Sequence, residues 1–124
     1  MDKKYYIAAN WKMNGSLAFI NDYFSKFSPG SENPNEMIIC PPDIYLDHLK
    51  NKAPDFIQIG AQNISSRDEG AFTGECSGQM LKDNAIKYAI IGHSERREYH
   101  HEKNDDIKLK LLKAINSNIN PILC

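Results

Sequence analysis

The sequence predicts an α/β protein made of parallel β-α units. The first observation behind this is alternation. Short apolar runs and helically spaced segments follow one another as β-α-β-α-β-α-β-α-β, with strand starts about 20 to 32 residues apart, which suits a parallel sheet with right-handed crossovers. The second is the stretch Tyr88-Ala-Ile-Ile-Gly-His-Ser-Glu-Arg-Arg-Glu98, where an apolar run stops at Gly92 and a lone imidazole and dense charge follow. A parallel-sheet protein places reactive side chains in this way, at strand C-terminal ends. The third is that no Gly-x-Gly-x-x-Gly or Walker-type loop follows the first strand, which weakens a nucleotide-binding reading. Two architectures fit: a doubly wound open sheet, or half of a (β/α)8 barrel, which in full needs about 250 residues.

Taken in order, residues 4–9 read as a buried strand leading into Asn10-Trp-Lys-Met-Asn-Gly15. Leu17, Ile20, Phe24 and Phe27 then fall at helical spacing, and Ser28-Pro-Gly30 ends that helix. A polar loop through Pro34 precedes the second strand, Glu36–Cys40. Pro41-Pro42 breaks it, and Pro42-Asp43 opens a helix whose first turn tolerates proline, carrying Ile44, Tyr45 and Leu49 to about Lys52. Phe56–Gly60 is the third strand.

The segment 61–76 is long, polar and Gly-rich, with no helical or strand period. Loops of this length without structure of their own are usually functional or disordered. Phe72 has no register to bury it, which points to docking on a partner chain, against a flexible surface loop as the plain alternative. A short helix around Gln79–Lys82 and a fourth strand at Tyr88–Gly92 follow. The charged segment after Gly92 can start a helix with Ser94 as its cap. Lys103–Ser117 is the clearest helix, with Asp105 and Asp106 in its first turn, an apolar stripe of Ile107, Leu111, Leu112 and Ile115, and Lys108, Lys110 and Lys113 outside. Asn120–Cys124 begins a fifth strand.

The 124 residues suit a single domain, here read as a partial barrel spanning 1–124. Composition is 41% hydrophobic and 25% charged with a formal charge of −1, which gives no reason to expect nucleic acid or an anionic membrane as partner. No apolar run has the ~18–20 residues of a membrane span, and the N-terminal residues lack the pattern of a signal peptide. Three scattered cysteines, Cys40, Cys76 and Cys124, favour neither zinc nor disulfides. A cytoplasmic location is expected.

The side chains just past the strands are Asn10 and Lys12, Gln62 and Asn63, and His93 and Glu95. In a barrel they converge on one mouth. A lysine beside a neutral imidazole suits an anionic, carbonyl-containing substrate. Lys12 holds the charge, while Asn10 and His93 donate to an oxygen where negative charge develops. A helix N-terminus after His93 disfavours protonating its ring. Each residue has a plain alternative: Lys12 as a solvated loop lysine, His93 as a strand-ending residue bonded to a loop. Glu95 is read as an ion-pair partner of Arg96 or Arg97 in preference to a proton carrier. His100-His101-Glu102 resembles a metal set, but neighbours in a helix do not share a face, so no metal is expected.

Ala8-Ala-Asn-Trp-Lys-Met-Asn-Gly15, Gly70-Ala-Phe-Thr-Gly-Glu75 and Ile91-Gly-His-Ser-Glu-Arg-Arg97 together resemble the triosephosphate isomerase family, in its order and spacing. The resemblance covers residue 5 to Cys124 and matches the family's N-terminal half. It implies the N-terminal half of a TIM barrel ending in strand 5, and interconversion of dihydroxyacetone phosphate and glyceraldehyde 3-phosphate through an enediolate, in glycolysis and gluconeogenesis, without cofactor or metal. It implies that Asn10, Trp11 and Lys12 contact substrate, and that His93 is the neutral electrophile, a known trait of the family. Glu95 would be the neighbouring carboxylate. Phe72, Thr73, Gly74 and Glu75 would make a homodimer, with Thr73 reaching toward a second subunit's site.

The family's catalytic glutamate and water-excluding lid follow strand six, and its main phosphate-binding amides follow strands seven and eight. These lie outside residues 1–124, so this stretch alone is expected to be inactive or nearly so. A complementing C-terminal half is one expected partner. Strands one and five are expected to be unpaired edges. The alternative is a non-catalytic half-barrel serving binding or assembly. A Schiff-base aldolase using Lys12 is disfavoured because Lys12 lies in a loop beside Trp11.

Overall fold

The computed structural model describes residues 3–26 and 35–124. Its five parallel strands are β1 (Tyr6–Asn10), β2 (Glu36–Cys40), β3 (Ile57–Ala61), β4 (Tyr88–Ile91) and β5 (Asn120–Leu123). The helices are α1 (Leu17–Tyr23), α2 (Leu46–Lys52), α3 (Gly78–Asp83), α4 (Ser94–Tyr99) and α5 (Asn104–Asn116). The charged segment after Gly92 thus forms a helix of its own, a fifth beside the four that the alternation calls for. Phe27 and the Ser28-Pro-Gly30 stop expected for the first helix lie outside the described residues.

The strands are ordered β1-β2-β3-β4-β5. A doubly wound sheet reverses direction at a switch point and carries helices on both faces. Neither happens here. Ile39, Ile57, Ile59, Ala89 and Ile91 pack with Ile20, Leu49, Leu81, Ile107 and Ala114 of the helices. On the opposite face Ile38, Cys40, Tyr88, Ile90 and Ile122 form a separate cluster that contains no helix residue. Helices α1, α2, α3 and α5 therefore cover one face, and the other is concave. Tyr6 on β1 and Tyr88 on β4 stack edge to face at 6.5 Å, whereas the two strands would stand about 14 Å apart in a flat sheet. The sheet is curled as half of a (β/α)8 barrel. Gly60 permits this closeness: a Cβ there would lie 2.7 Å from Cys40 Sγ.

β1 and β5 are the edges. Ile7 and Leu123 are exposed on them, and Pro121 sits in β5 where an edge strand tolerates its missing N–H.

Two helices bury a different face from the one their sequence periodicity implies. In α5 the buried residues are Ile107, Lys110 and Ala114, while Leu112 and Ile115 stay exposed. Lys110 goes inside because its ammonium finds Glu102 and Asn63 there. After Pro42, residues Asp43–Tyr45 form a 3₁₀ turn before α2. Its tighter winding shifts the phase, so Leu46 and Leu49 are buried and Ile44 is 84% exposed. In α1 only Ile20 is fully buried, and Leu17 is exposed. Among the described residues no helix is long and apolar enough to cross a membrane.

Candidate active site at the strand mouth

Lys12 adopts the left-handed conformation, φ 55°, which costs a residue with a Cβ some strain. Side chains from two strand ends hold it there. Asn10, the last residue of β1, accepts the Lys12 N–H on Oδ1 at 2.9 Å. Gln62, just past β3, donates from Nε2 to the Lys12 carbonyl at 2.8 Å and to the Cys40 carbonyl at 3.0 Å. Trp11 N–H also donates to the Cys40 carbonyl at 3.0 Å. The Lys12 turn is thereby tied to β2 and β3, and its ammonium extends to Glu95 Oε1 at 2.7 Å.

β4 ends at Ile91, and the next residue is Gly92, φ 74°, where a Cβ would press on Ile107 and on the Cys124 carbonyl. The turn delivers His93 to the mouth. His93, not Ser94, caps α4: its Nδ1 accepts the Glu95 backbone N–H at 3.1 Å. An imidazole ring is a better shaped acceptor for that amide than a side chain already inside the first turn. A backbone amide can only donate, so the Nδ1 it faces presents a lone pair, and the neutral ring carries its proton on Nε2.

Glu95 pairs with neither arginine. Lys12 takes it, and the hydrogen bond from that ammonium holds the Glu95 carboxyl below the usual carboxylate range. Arg96 turns instead to Glu102. Arg97 donates to the Gly92 carbonyl at 2.9 Å, to Asn104 Oδ1 at 2.9 Å and to the Cys124 carbonyl at 3.2 Å, and so braces the β4–α4 turn. Sequence spacing favours Arg96 or Arg97 as near neighbours of Glu95. A residue 83 positions away wins because the curl brings β1 and β4 ends together.

One open cavity of about 790 Å³ includes Asn10, Lys12, His93 and Glu95 in its lining, together with Thr73 and Glu75. Gly74 also lies on its wall. Trp11 does not: it packs edge to face on Phe19 and Tyr23 at 5.2 and 5.6 Å, against α1. Phe72 lies under the Arg67 guanidinium at 5.1 Å and remains 42% exposed.

The loop between β3 and α3 is organised although it has no period. Ser65 N–H bonds the Cys76 carbonyl at 2.9 Å and closes its stem. Lys113 Nζ reaches Asp68 at 2.7 Å. These are long-range contacts, so no periodicity announces them. Gln62 and Glu102 were likewise missed as structural supports, because their partners lie on other strands and helices.

Among the described residues no cluster of His, Cys, Asp and Glu could hold a metal ion. Glu102, the acidic member of the His100-His101-Glu102 run, is committed to Arg96 and Lys110.

A parallel β/α half-barrel whose strand ends gather Asn, Lys, His and Glu around one cavity places the chain in the (β/α)8-barrel class, with its polar site at the mouth. Within that class the chain belongs to the triosephosphate isomerase family, whose family model matches residues 5–124. Triosephosphate isomerase of Shewanella denitrificans is 42% identical over 127 residues, covering 95% of this chain and 49% of that relative. The isomerases of Shewanella baltica and Shewanella amazonensis are each 44% identical, with the same coverage. The chain spans about half the length of these curated relatives.

Proposed function

We propose that this chain supplies the substrate-holding and electrophilic part of a triose phosphate isomerase site. Its substrate pair is dihydroxyacetone phosphate and glyceraldehyde 3-phosphate. The observation that carries the reading is His93: Nδ1 accepts the Glu95 amide at 3.1 Å, which leaves Nε2–H to donate to the substrate oxygen.

A carbonyl beside a C–H bond becomes acidic only when the developing enediolate oxygen is stabilised. Nε2–H of His93 donates to that oxygen, and a neutral imidazole can pass its proton between the two substrate oxygens. Lys12, held by Asn10 and Gln62, sets a fixed positive charge against phosphate and enediolate. Its pairing with Glu95 orients the ammonium. Asn10 retains its Nδ2 donors for a substrate oxygen. Trp11, packed against α1, supports the Lys12 turn from behind instead of contacting substrate.

The reading includes a homodimer in which Phe72, Thr73, Gly74 and Glu75 contact a second subunit, a cytoplasmic setting, and no cofactor. The base that removes the carbon-bound proton comes from the family's sixth βα unit, in the same polypeptide or in a complementing one. Residues 1–124 in isolation are therefore expected to bind weakly and turn over little or not at all.

Titrating dihydroxyacetone phosphate while following the His93 ring and Lys12 Nζ by NMR tests the reading. Coupled changes at both residues are expected. No response at millimolar substrate overturns it. Near-normal turnover by residues 1–124 overturns the assignment of the base.

A further inference from the structure

Beneath the mouth lies a line of buried charge that the chemistry above does not use. Glu102 follows α4, and its side chain is 7% exposed. One carboxylate oxygen pairs with Arg96 of α4, and the other lies 2.9 Å from Lys110 Nζ of α5, whose side chain is 6% exposed. Lys110 also donates to Asn63 Oδ1 at 2.8 Å, where the long loop leaves β3. The β3 end of the loop is thus held by one chain of contacts, Asn63–Lys110–Glu102–Arg96, and Arg96 is the residue next to Glu95.

Burying two charges, Glu102 and Lys110, with Arg96 partly exposed beside them, is a poor route to stability, since well-packed apolar side chains of similar size often do as well or better. What the arrangement secures is geometry. A carboxylate shared between two cations on different helices fixes their separation, and removing it leaves two cations facing each other. Burial works to raise the Glu102 carboxyl; the Lys110 and Arg96 contacts outweigh it and hold it below the usual range.

We infer that Glu102 is a positioning residue: clamped between Arg96 and Lys110, it ties the stem of the 63–77 loop to the helix that presents His93 and Glu95. A displacement of the loop, such as a partner subunit would impose, is then felt at the His93 cap. The inference rests on the isomerase reading only in giving that cap a catalytic purpose; the mechanical link stands on the contacts alone.

The test is amide hydrogen exchange and ¹⁵N NMR of the His93 ring in Glu102→Gln and in Lys110→Met. Glu102→Gln keeps the shape and removes the charge. Lys110→Met keeps the apolar stem and leaves Glu102 paired with Arg96, so it reads the same link if the first variant fails to fold. The amide of Ser65, at the loop stem, and the amide of Glu95, bound to His93 Nδ1, should both exchange at least tenfold faster. The His93 nitrogen shifts should move, while β2 amides stay protected. Faster exchange at Ser65 with Glu95 and His93 unchanged overturns the proposal, because Glu102 then only packs the loop. Uniform acceleration of all amides overturns it too. None of these measurements needs substrate, so a wild-type chain that fails to bind triose phosphate refutes the isomerase reading and leaves this one standing.

Discussion

The backbone N–H of Glu95 points at Nδ1 of His93, 3.1 Å away, and so one hydrogen bond both caps α4 and selects the tautomer of the ring. The Glu95 carboxylate meanwhile faces Lys12, 2.7 Å away on Oε1. Two residues apart in sequence, His93 and Glu95 therefore tie the start of α4 to the Lys12 turn: the ring caps the helix and the carboxylate pairs with the ammonium.

Lys12→Met removes the cation and keeps most of the side chain's bulk. A charge-assisted contact is worth about 1.5–3 kcal/mol, so affinity for dihydroxyacetone phosphate should fall by roughly tenfold or more. Titration calorimetry or NMR titration measures it. Unchanged affinity would remove Lys12 from the substrate site.

Glu95 titrates below the ordinary carboxylate range because Lys12 donates to it. A depressed folded value means that this pairing stabilises the fold above the unfolded carboxylate pKa of about 4.3, and that the contribution disappears as pH falls through the folded value. Both side chains are about half exposed, so the effect is small. Carboxyl ¹³C NMR should show Glu95 titrating at higher pH in Lys12→Met than in the wild type. Identical titration curves would show that Lys12 does not set it.

Gly60 sits on the concave face, where a Cβ would meet Cys40 Sγ at 2.7 Å and Tyr88 Cβ at 3.1 Å. Gly60→Ala overpacks a curled sheet and should cost about 1–3 kcal/mol. Gly74→Ala is the comparison: nothing lies within 4 Å, and only its φ of +91° opposes a side chain. Thermal or urea unfolding should rank Gly60→Ala as clearly the more damaging. The reverse order would mean that the concave face is looser than described.

Burial pushes the Cys40 thiol up to about 12, and the side chain is fully buried between β2 and β4. At neutral pH it should resist iodoacetamide in the native state and react only when the sheet opens, since the thiolate is the nucleophile. Mass spectrometry of labelled peptides checks this. Rapid native labelling at Cys40 would contradict a closed concave face.

The alternation of strands and helices was legible because each strand is a short apolar run bounded by Pro, Gly or polar residues, as at Cys40-Pro41 and Ile91-Gly92. The residues at the mouth were legible for the same reason, since Asn10, Lys12, His93 and Glu95 all lie at or just past strand ends. The choice between open sheet and barrel was not, because the local pattern of a β-α unit is the same in both. Sequential strand order and the Tyr6–Tyr88 contact decide it. Lys110 and Leu112 show the limit of periodicity: an apolar stripe marks a preferred face, but a buried carboxylate can turn the helix to take a lysine inside.

The sequence by itself determined the β-α alternation, the residues offered at the strand ends and the family. Local propensity and motif spacing are properties of neighbours in the chain, so neighbours suffice to read them. Only the tertiary structure decided who pairs with whom. It gave Lys12 to Glu95, Arg96 to Glu102, Gln62 to the Lys12 carbonyl and Trp11 to the helix side. Those choices depend on which strand ends the curl brings within about 3 Å, a hydrogen-bonding distance that no local pattern encodes.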